Sequence, residues 1–223
     1  MNNKVPYIET QNANFRYDRS EFEIKDLDIK LYRDDFTALT GDNGCGKTTA
    51  GKLLTGILKP RSGSVLLKGR DISGMDLGGI GKDIGYLFQN PEKQMFAASV
   101  YDDIVFPLLI NGTEPDTARE KAFKIMRELE IEHLKDEYPY NLSHGEKQRA
   151  AIAGILVNGA GFLILDEPTT ALDKTRKELL GSILKNLHEA GTGILIISHD
   201  EKFIEKFCTR EIKMNNGDVI ENE

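Results

Sequence analysis

The sequence is poor in the residues that build metal centres and disulfide frameworks. It has two cysteines, Cys45 and Cys208, without metal-ligand spacing, and four histidines scattered at positions 133, 144, 188 and 199. A clustered Cys/His metal site is therefore not expected, and a reducing cytosol is the default surrounding. Positive charge is also short: 29 Lys and Arg against 36 Asp and Glu leave a net charge of −7 at pH 7. Such a balance argues against a nucleic-acid binder that works by neutralising phosphates. Long hydrophobic runs are missing as well. The most apolar stretch, 150–165, contains Asn158 and three glycines, too short and too broken to span a bilayer. It reads instead as a helix end followed by a buried strand. The opening Met1-Asn2-Asn3-Lys4-Val5-Pro6 has no apolar secretory core. Internal repeats and low-complexity segments are likewise absent. What remains, 39% hydrophobic and 29% charged residues in 223, is the composition of a globular chain long enough for a sizeable core.

Against that background one stretch stands out. Gly41-Asp42-Asn43-Gly44-Cys45-Gly46-Lys47-Thr48-Thr49 reads G-x-x-x-x-G-K-T, a phosphate-binding loop. The apolar run 36–40 before it suits a buried strand, and 50–58 after it a helix with Leu53, Leu54 and Ile57 on one face. Glycines let successive N–H groups converge on phosphate oxygens, and the new helix adds positive potential. Lys47 is expected to reach the β- and γ-phosphates of a nucleoside triphosphate, and the Thr48 hydroxyl to ligate Mg²⁺. Cys45 has two open readings: a reactive thiol at a helix start, or an inert small residue.

The rest of the chain alternates strands and helices. Strands are expected over 7–17, 22–31, 65–67, 84–88, 162–165 and 194–197, the second with an alternation broken at Asp26-Leu27. Strands that precede a phosphate loop without helices between them suggest a small antiparallel sheet beside a nucleotide core. Ser99 should cap one helix, and Thr113 with Pro115 should start another, its apolar face being Ala118, Ala122, Ile125, Met126 and Leu129. A helix over 174–190 ends at Gly191, and Asn216-Gly217 signals a terminal hairpin.

Phe162-Leu163-Ile164-Leu165-Asp166-Glu167 is four apolar residues and then two acids. Behind a phosphate loop, the strand end brings Asp166 to the Mg²⁺, and Glu167 is placed to polarise an attacking water. With these residues the chain resembles an ATP-binding cassette (ABC) ATPase domain. The resemblance rests on 41–49, Gln89, Leu142-Ser143-His144-Gly145-Glu146, Leu165-Asp166-Glu167-Pro168, Ala171-Leu172-Asp173 and His199, and spans about residues 15 to 200. No Asn-Lys-x-Asp guanine-reading motif is present.

The resemblance implies an α/β fold: a P-loop NTPase core with a mostly parallel sheet, an N-terminal antiparallel β subdomain and an inserted helical subdomain. The expected boundaries are 1–35 and 60–75 for the β subdomain, 36–58 and 160–205 for the core, 90–158 for the helices and 206–223 for the hairpin. ATP and Mg²⁺ are the implied cofactors, with Thr48, Gln89 and Asp166 around the metal, and Gly41 to Thr49 around the phosphates. Lys47, Glu167 and His199 are the implied catalytic groups, His199 contacting the γ-phosphate. Tyr17 is the implied adenine-stacking aromatic; as a strand residue it reads equally as a core aromatic.

Ser143-x-x-Glu146 is also a capping box, and a free helix start binds phosphate. In the family this signature (Ser143, His144, Gly145 and Glu146 here) serves the partner's ATP in a head-to-tail dimer, with Asp173 as the D-loop aspartate. His144 and Glu146 depart from the family's Gly and Gln, which suggests a heterodimer with one weaker site. Tyr86 to Phe96, with its Phe-Gln-Asn-Pro-x-x-Gln-x-Phe pattern, resembles the ATPases of energy-coupling factor (ECF) vitamin and metal-ion importers, the CbiO-like group. Met95 and Phe96 then read either as anchors for a membrane scaffold or as helical-subdomain packing. Many such relatives continue past the final hairpin, whereas this sequence stops at Glu223. The implied protein powers import at the cytoplasmic face, peripheral to the membrane, with a second ATPase subunit, a membrane scaffold and a substrate-binding membrane protein. The alternative is another ABC importer or exporter, or a soluble ABC ATPase.

Overall fold

The computed structural model describes residues 5–19, 21–170 and 172–222, with side-chain surroundings described up to residue 220. In chain order the elements are β1 (Ile8–Arg16), β2 (Glu23–Leu27), β3 (Lys30–Leu31), β4 (Phe36–Thr40), α1 (Lys47–Leu54), β5 (Ser62–Leu67) and β6 (Arg70–Asp71). Then come α2 (Leu77–Gly81), β7 (Ile84–Leu87), α3 (Val100–Ile110), α4 (Pro115–Glu128), α5 (His144–Leu156) and β8 (Phe162–Asp166). The chain closes with α6 (Lys174–Glu189), β9 (Gly193–Ile197), α7 (Glu201–Phe207), β10 (Arg210–Asn215) and β11 (Asp218–Asn222).

Two sheets organise them. A five-stranded antiparallel sheet runs β2-β1-β5-β6 with β3 also on β1, and a six-stranded sheet runs β11-β10-β4-β9-β8-β7. In the larger sheet β10, β4, β9, β8 and β7 are parallel, and only β11 is antiparallel. A parallel sheet is covered on both faces, and the strand period of two divides its side chains between two cores. Phe162, Ile164, Leu195 and Ile197 face α1 and the antiparallel sheet. Leu163, Leu165, Ile194 and Ile196 face the helices. Parallel strands all end on one side, so the segments leaving β4, β7, β8 and β9 meet along one edge. That edge carries the phosphate loop, Gln89, Asp166-Glu167 and His199.

Several local expectations shift. The strand expected over 22–31 divides into β2 and β3, with Asp26 at φ +42° and a register shift opposite Ala13 and Phe15. The helix after the loop spans Lys47–Leu54 rather than 50–58, because it starts as soon as Gly46 ends the turn. Ser99 caps α3 as expected, its Oγ accepting from Asp102 N at 3.0 Å. The cap of α4 is Glu114 instead of Thr113: its carboxylate accepts from Asp116 N and Thr117 N, at 3.0 and 3.2 Å. Helices α2 and α7 went unforeseen; both are short, and both are capped by an aspartate, Asp76 and Asp200. No helix among the described residues is long and apolar enough to cross a membrane.

Candidate functional site

The phosphate-loop residues leave β4 and turn into α1 at Gly46. Gly46 has φ +109°, and a Cβ there would lie 2.8 Å from Phe22 Cζ, so any other residue would be strained and crowded. Helix α1 begins at Lys47, which leaves the first N–H groups of the helix without helical acceptors. Cys45 is buried beneath the loop, its N–H donating to Asp42 O at 3.2 Å and its carbonyl accepting from Gly217 N at 2.9 Å. The Lys47 ammonium folds back over the loop onto the carbonyls of Gly41 and Asp42, at 2.7 and 2.9 Å. Asn43, Gly44, Lys47, Thr48, Thr49, Gln89, Glu167 and His199 line one cavity of about 390 Å³.

Across that cavity the end of β8 supplies the acids. Thr48 Oγ1 donates to Asp166 Oδ1 at 3.1 Å, and Tyr86 OH donates to Asp166 Oδ2 at 2.9 Å. Burial pushes the Asp166 carboxyl above the ordinary carboxylate range, and the bonds from Tyr86 and Thr48 only partly offset it. Burial, and then the neighbouring Asp166, likewise raise the Tyr86 phenol. The next residue, Glu167, takes a left-handed backbone with φ +51°, and its N–H donates to Ile197 O at 2.8 Å. Its carboxylate accepts from His199 Nδ1 at 2.9 Å and from Thr170 Oγ1 at 3.3 Å. An imidazole and a carboxylate are thus paired at the mouth of a loop that can hold phosphate.

The structure brings Gly41, Asp42, Asn43, Gly44, Cys45, Gly46, Lys47, Thr48, Thr49, Gln89, Asp166, Glu167 and His199 to one place. Tyr17 stands at its rim: 38% exposed, its OH is 3.3 Å from Thr49 Oγ1 and its ring is edge-on to Phe15. Ser143, His144, Gly145 and Glu146 begin α5 and do not line this cavity. There the capping box closes, with Ser143 N donating to Glu146 at 2.8 Å. Asp173 caps α6 by accepting from Arg176 N at 2.9 Å, and Ala171 lies outside the described residues.

Sequence reasoning missed several participants. Phe22 lines the cavity from the antiparallel sheet, and no local signal marks it. Tyr86 was findable: a hydroxyl on a fully buried strand needs a partner, and the acid closing a neighbouring strand is an obvious one. Gln94 is a backbone staple, accepting from Phe88 N at 3.0 Å and donating to Tyr86 O at 2.8 Å. The two readings of Met95 and Phe96 divide. Met95 is 6% exposed and packs in the helical core, whereas Phe96 is 63% exposed.

The sequence profile of the ABC transporter family matches residues 24–170. A relative from Clostridium tetani is 37% identical over 217 residues, covering 97% of this chain and 49% of its own length. Two further relatives are covered over 36% and 37% of their length, so the chain spans half or less of the curated relatives that match first. An energy-coupling factor transporter ATP-binding protein, EcfA3 of Clostridium perfringens, is 35% identical over 216 residues, 96% of this chain and 76% of the relative. Among solved structures, CbiO1 of Clostridium perfringens, described as part of the ABC transporter complex CbiONQ, superposes with a TM-score of 0.90. It is 33% identical, with 98% of this chain and 88% of that one covered. A dimeric ATP-binding cassette in a post-hydrolysis state, bound to ADP and Pi, superposes with a TM-score of 0.86 at 25% identity, covering 97% of both chains.

Proposed function

The chain belongs to the ABC transporter family, and from that membership we propose that it is the ATP-hydrolysing subunit of an ECF-type importer. The observation that carries the hydrolytic part is the meeting, in one cavity, of Lys47 and Thr48 from the loop with Glu167 and His199 from the strand ends, with Asp166 bonded to Thr48 just beneath it. The transport part is supported by the EcfA3 and CbiO1 likenesses.

In this reading the N–H groups of Gly46 to Thr49 and the Lys47 ammonium bind the triphosphate. Lys47 exchanges the carbonyls of Gly41 and Asp42 for phosphate oxygens, so the loop holds its own counter-ion until nucleotide arrives. Thr48 and Asp166 meet through oxygens, Gln89 adds an amide oxygen to the same cavity, and a buried carboxylate gains from a nearby cation. The residues therefore fit Mg²⁺. When bound, the ion would neutralise charge building on the phosphate oxygens. Glu167 takes the proton of the attacking water, and His199, donating through Nδ1, fixes the orientation of that carboxylate. A second cassette, packed head to tail, adds Ser143 and the start of its α5 to the phosphate; the dimeric ADP-bound relative supports such pairing.

An exposed apolar patch follows Gln89 along the chain. Phe96 and Phe106 meet edge to face at 4.9 Å, Leu109 and Ile110 are exposed further along α3, and the exposed Tyr140 donates its OH to Met95 O at 3.2 Å. This is the face proposed to dock on a membrane scaffold, keeping the subunit peripheral at the cytoplasmic side. A separate substrate-binding membrane protein completes the assembly, and the transported vitamin or metal ion is its cargo.

The test is Glu167→Gln. Loss of the general base should lower turnover by about 10²-fold or more while ATP binding persists and a closed dimer accumulates. Normal turnover in that variant would remove Glu167 from the role of base.

A further inference from the structure

Gln148, in the second turn of α5, is 1% exposed, and its amide faces two acceptors. Nε2 lies 2.6 Å from the Pro168 carbonyl and 3.2 Å from His144 Nε2, while Oε1 is buried without a partner among the described residues. A carbonyl oxygen only accepts, so the amide nitrogen must face Pro168. Its second hydrogen then points at His144 Nε2, which has to accept and so carries no proton. The imidazole proton is thereby assigned to Nδ1, at the very start of the helix.

Pro168 is the residue after Glu167, whose backbone is left-handed. A non-glycine residue holds that conformation only where its surroundings over-determine it. Two bonds bracket the turn: Glu167 N to Ile197 O at 2.8 Å from the sheet side, and Gln148 to Pro168 O from the α5 side. Thr169 adds a third anchor through Ser198 Oγ at 3.2 Å. Cutting the α5 anchor loosens the Glu167 turn on its helix side, while the bonds to Ile197 and Ser198 remain and Lys47, Thr48 and the phosphate loop are untouched.

We infer that Gln148 is a positioning residue for hydrolysis, holding the Glu167 turn through Pro168, and that the same amide fixes His144 as a neutral Nδ1–H donor. The inference rests on the reading of Glu167 as base and of α5 as the segment shown to a partner's nucleotide. Under that reading one buried amide joins the two nucleotide sites of a paired cassette. It sets the base of its own site and the donor state of the side chain that this sequence carries where the family has glycine.

The experiment combines ¹⁵N-histidine spectra of the full chain with turnover of the assembled complex. Gln148→Met keeps length and volume but removes both donations; Gln148→Glu keeps the shape and presents acceptors instead. In the wild type at about pH 8, His144 should be protonated at Nδ1. Gln148→Met should abolish that preference, and Gln148→Glu should move the proton to Nε2. Both variants should lose about tenfold to a hundredfold in kcat, with KM for ATP within about twofold of wild type. A His144 tautomer that ignores both substitutions, or kcat unchanged in both while Glu167→Gln is inactive, overturns the inference and leaves the functional reading standing. A wild-type complex that hydrolyses no ATP defeats the functional reading and the positioning role together; the tautomer spectra then decide the Gln148–His144 pairing alone.

Discussion

Glu146 shows how a single charged residue is absorbed by its setting. It sits in the first turn of α5, where the helix dipole favours a negative charge. Hydrogen bonds from the Ser143 hydroxyl and then its backbone N–H, opposed by slight burial, hold its carboxyl below the ordinary range. The charge that Glu146 brings to the signature segment is thus engaged in the cap. A depressed folded-state pKa contributes stability that is present above the unfolded value of 4.5 and lost as pH falls through the folded value. Glu146→Gln keeps the capping box but not the titration. Its Tm should therefore fall less steeply than that of wild type between about pH 5 and pH 3; parallel curves for the two proteins would count against this role. Asp166 has the opposite sign, since burial raises its pKa and the bonds from Tyr86 and Thr48 offset that only in part.

At the scale of elements, the site is a product of parallel strands that end together, each followed by a differently held segment. Gln94 staples the segment after β7 by bonding both Phe88 N and Tyr86 O, which turns Met95 into the core and leaves Phe96 outside. Helix α3 continues that outer face with Phe106, Leu109 and Ile110. An aromatic this exposed, set edge to face with another, suits a partner better than solvent. Phe96→Asp should abolish co-purification of membrane subunits in mild detergent. ATP binding by the isolated subunit should stay within about twofold of wild type, since Phe96 does not line the nucleotide cavity. Retention of the membrane subunits by that variant would move the docking surface elsewhere.

For the whole molecule, the far end of the chain supports the phosphate loop. Strand β10 lies parallel to β4, and a Cβ on Gly41 would fall 2.1 Å from Met214 O, while Gly217 N donates to Cys45 O at 2.9 Å. Gly41→Ala should therefore weaken nucleotide binding and lower stability together, by about 1–3 kcal/mol of overpacking. Calorimetry and nucleotide titration of the same preparation check both, and an unchanged Tm would mean that the hairpin yields freely. Features that depend on near neighbours can be read from the order of residues alone. The glycine run that shapes the loop, the apolar strand closed by Asp166 and Glu167, the caps at Ser99 and Ser143, and the Asn216-Gly217 turn are all legible there, because each is decided within one turn or one strand. The bonds from Thr48 to Asp166 across 118 positions, from Tyr86 to Asp166, and from Gln148 to Pro168 come from the folded arrangement. Those depend on strand order and on how α1 and α5 seat against the sheet. Burial of the whole core sets that seating, and no local pattern encodes it.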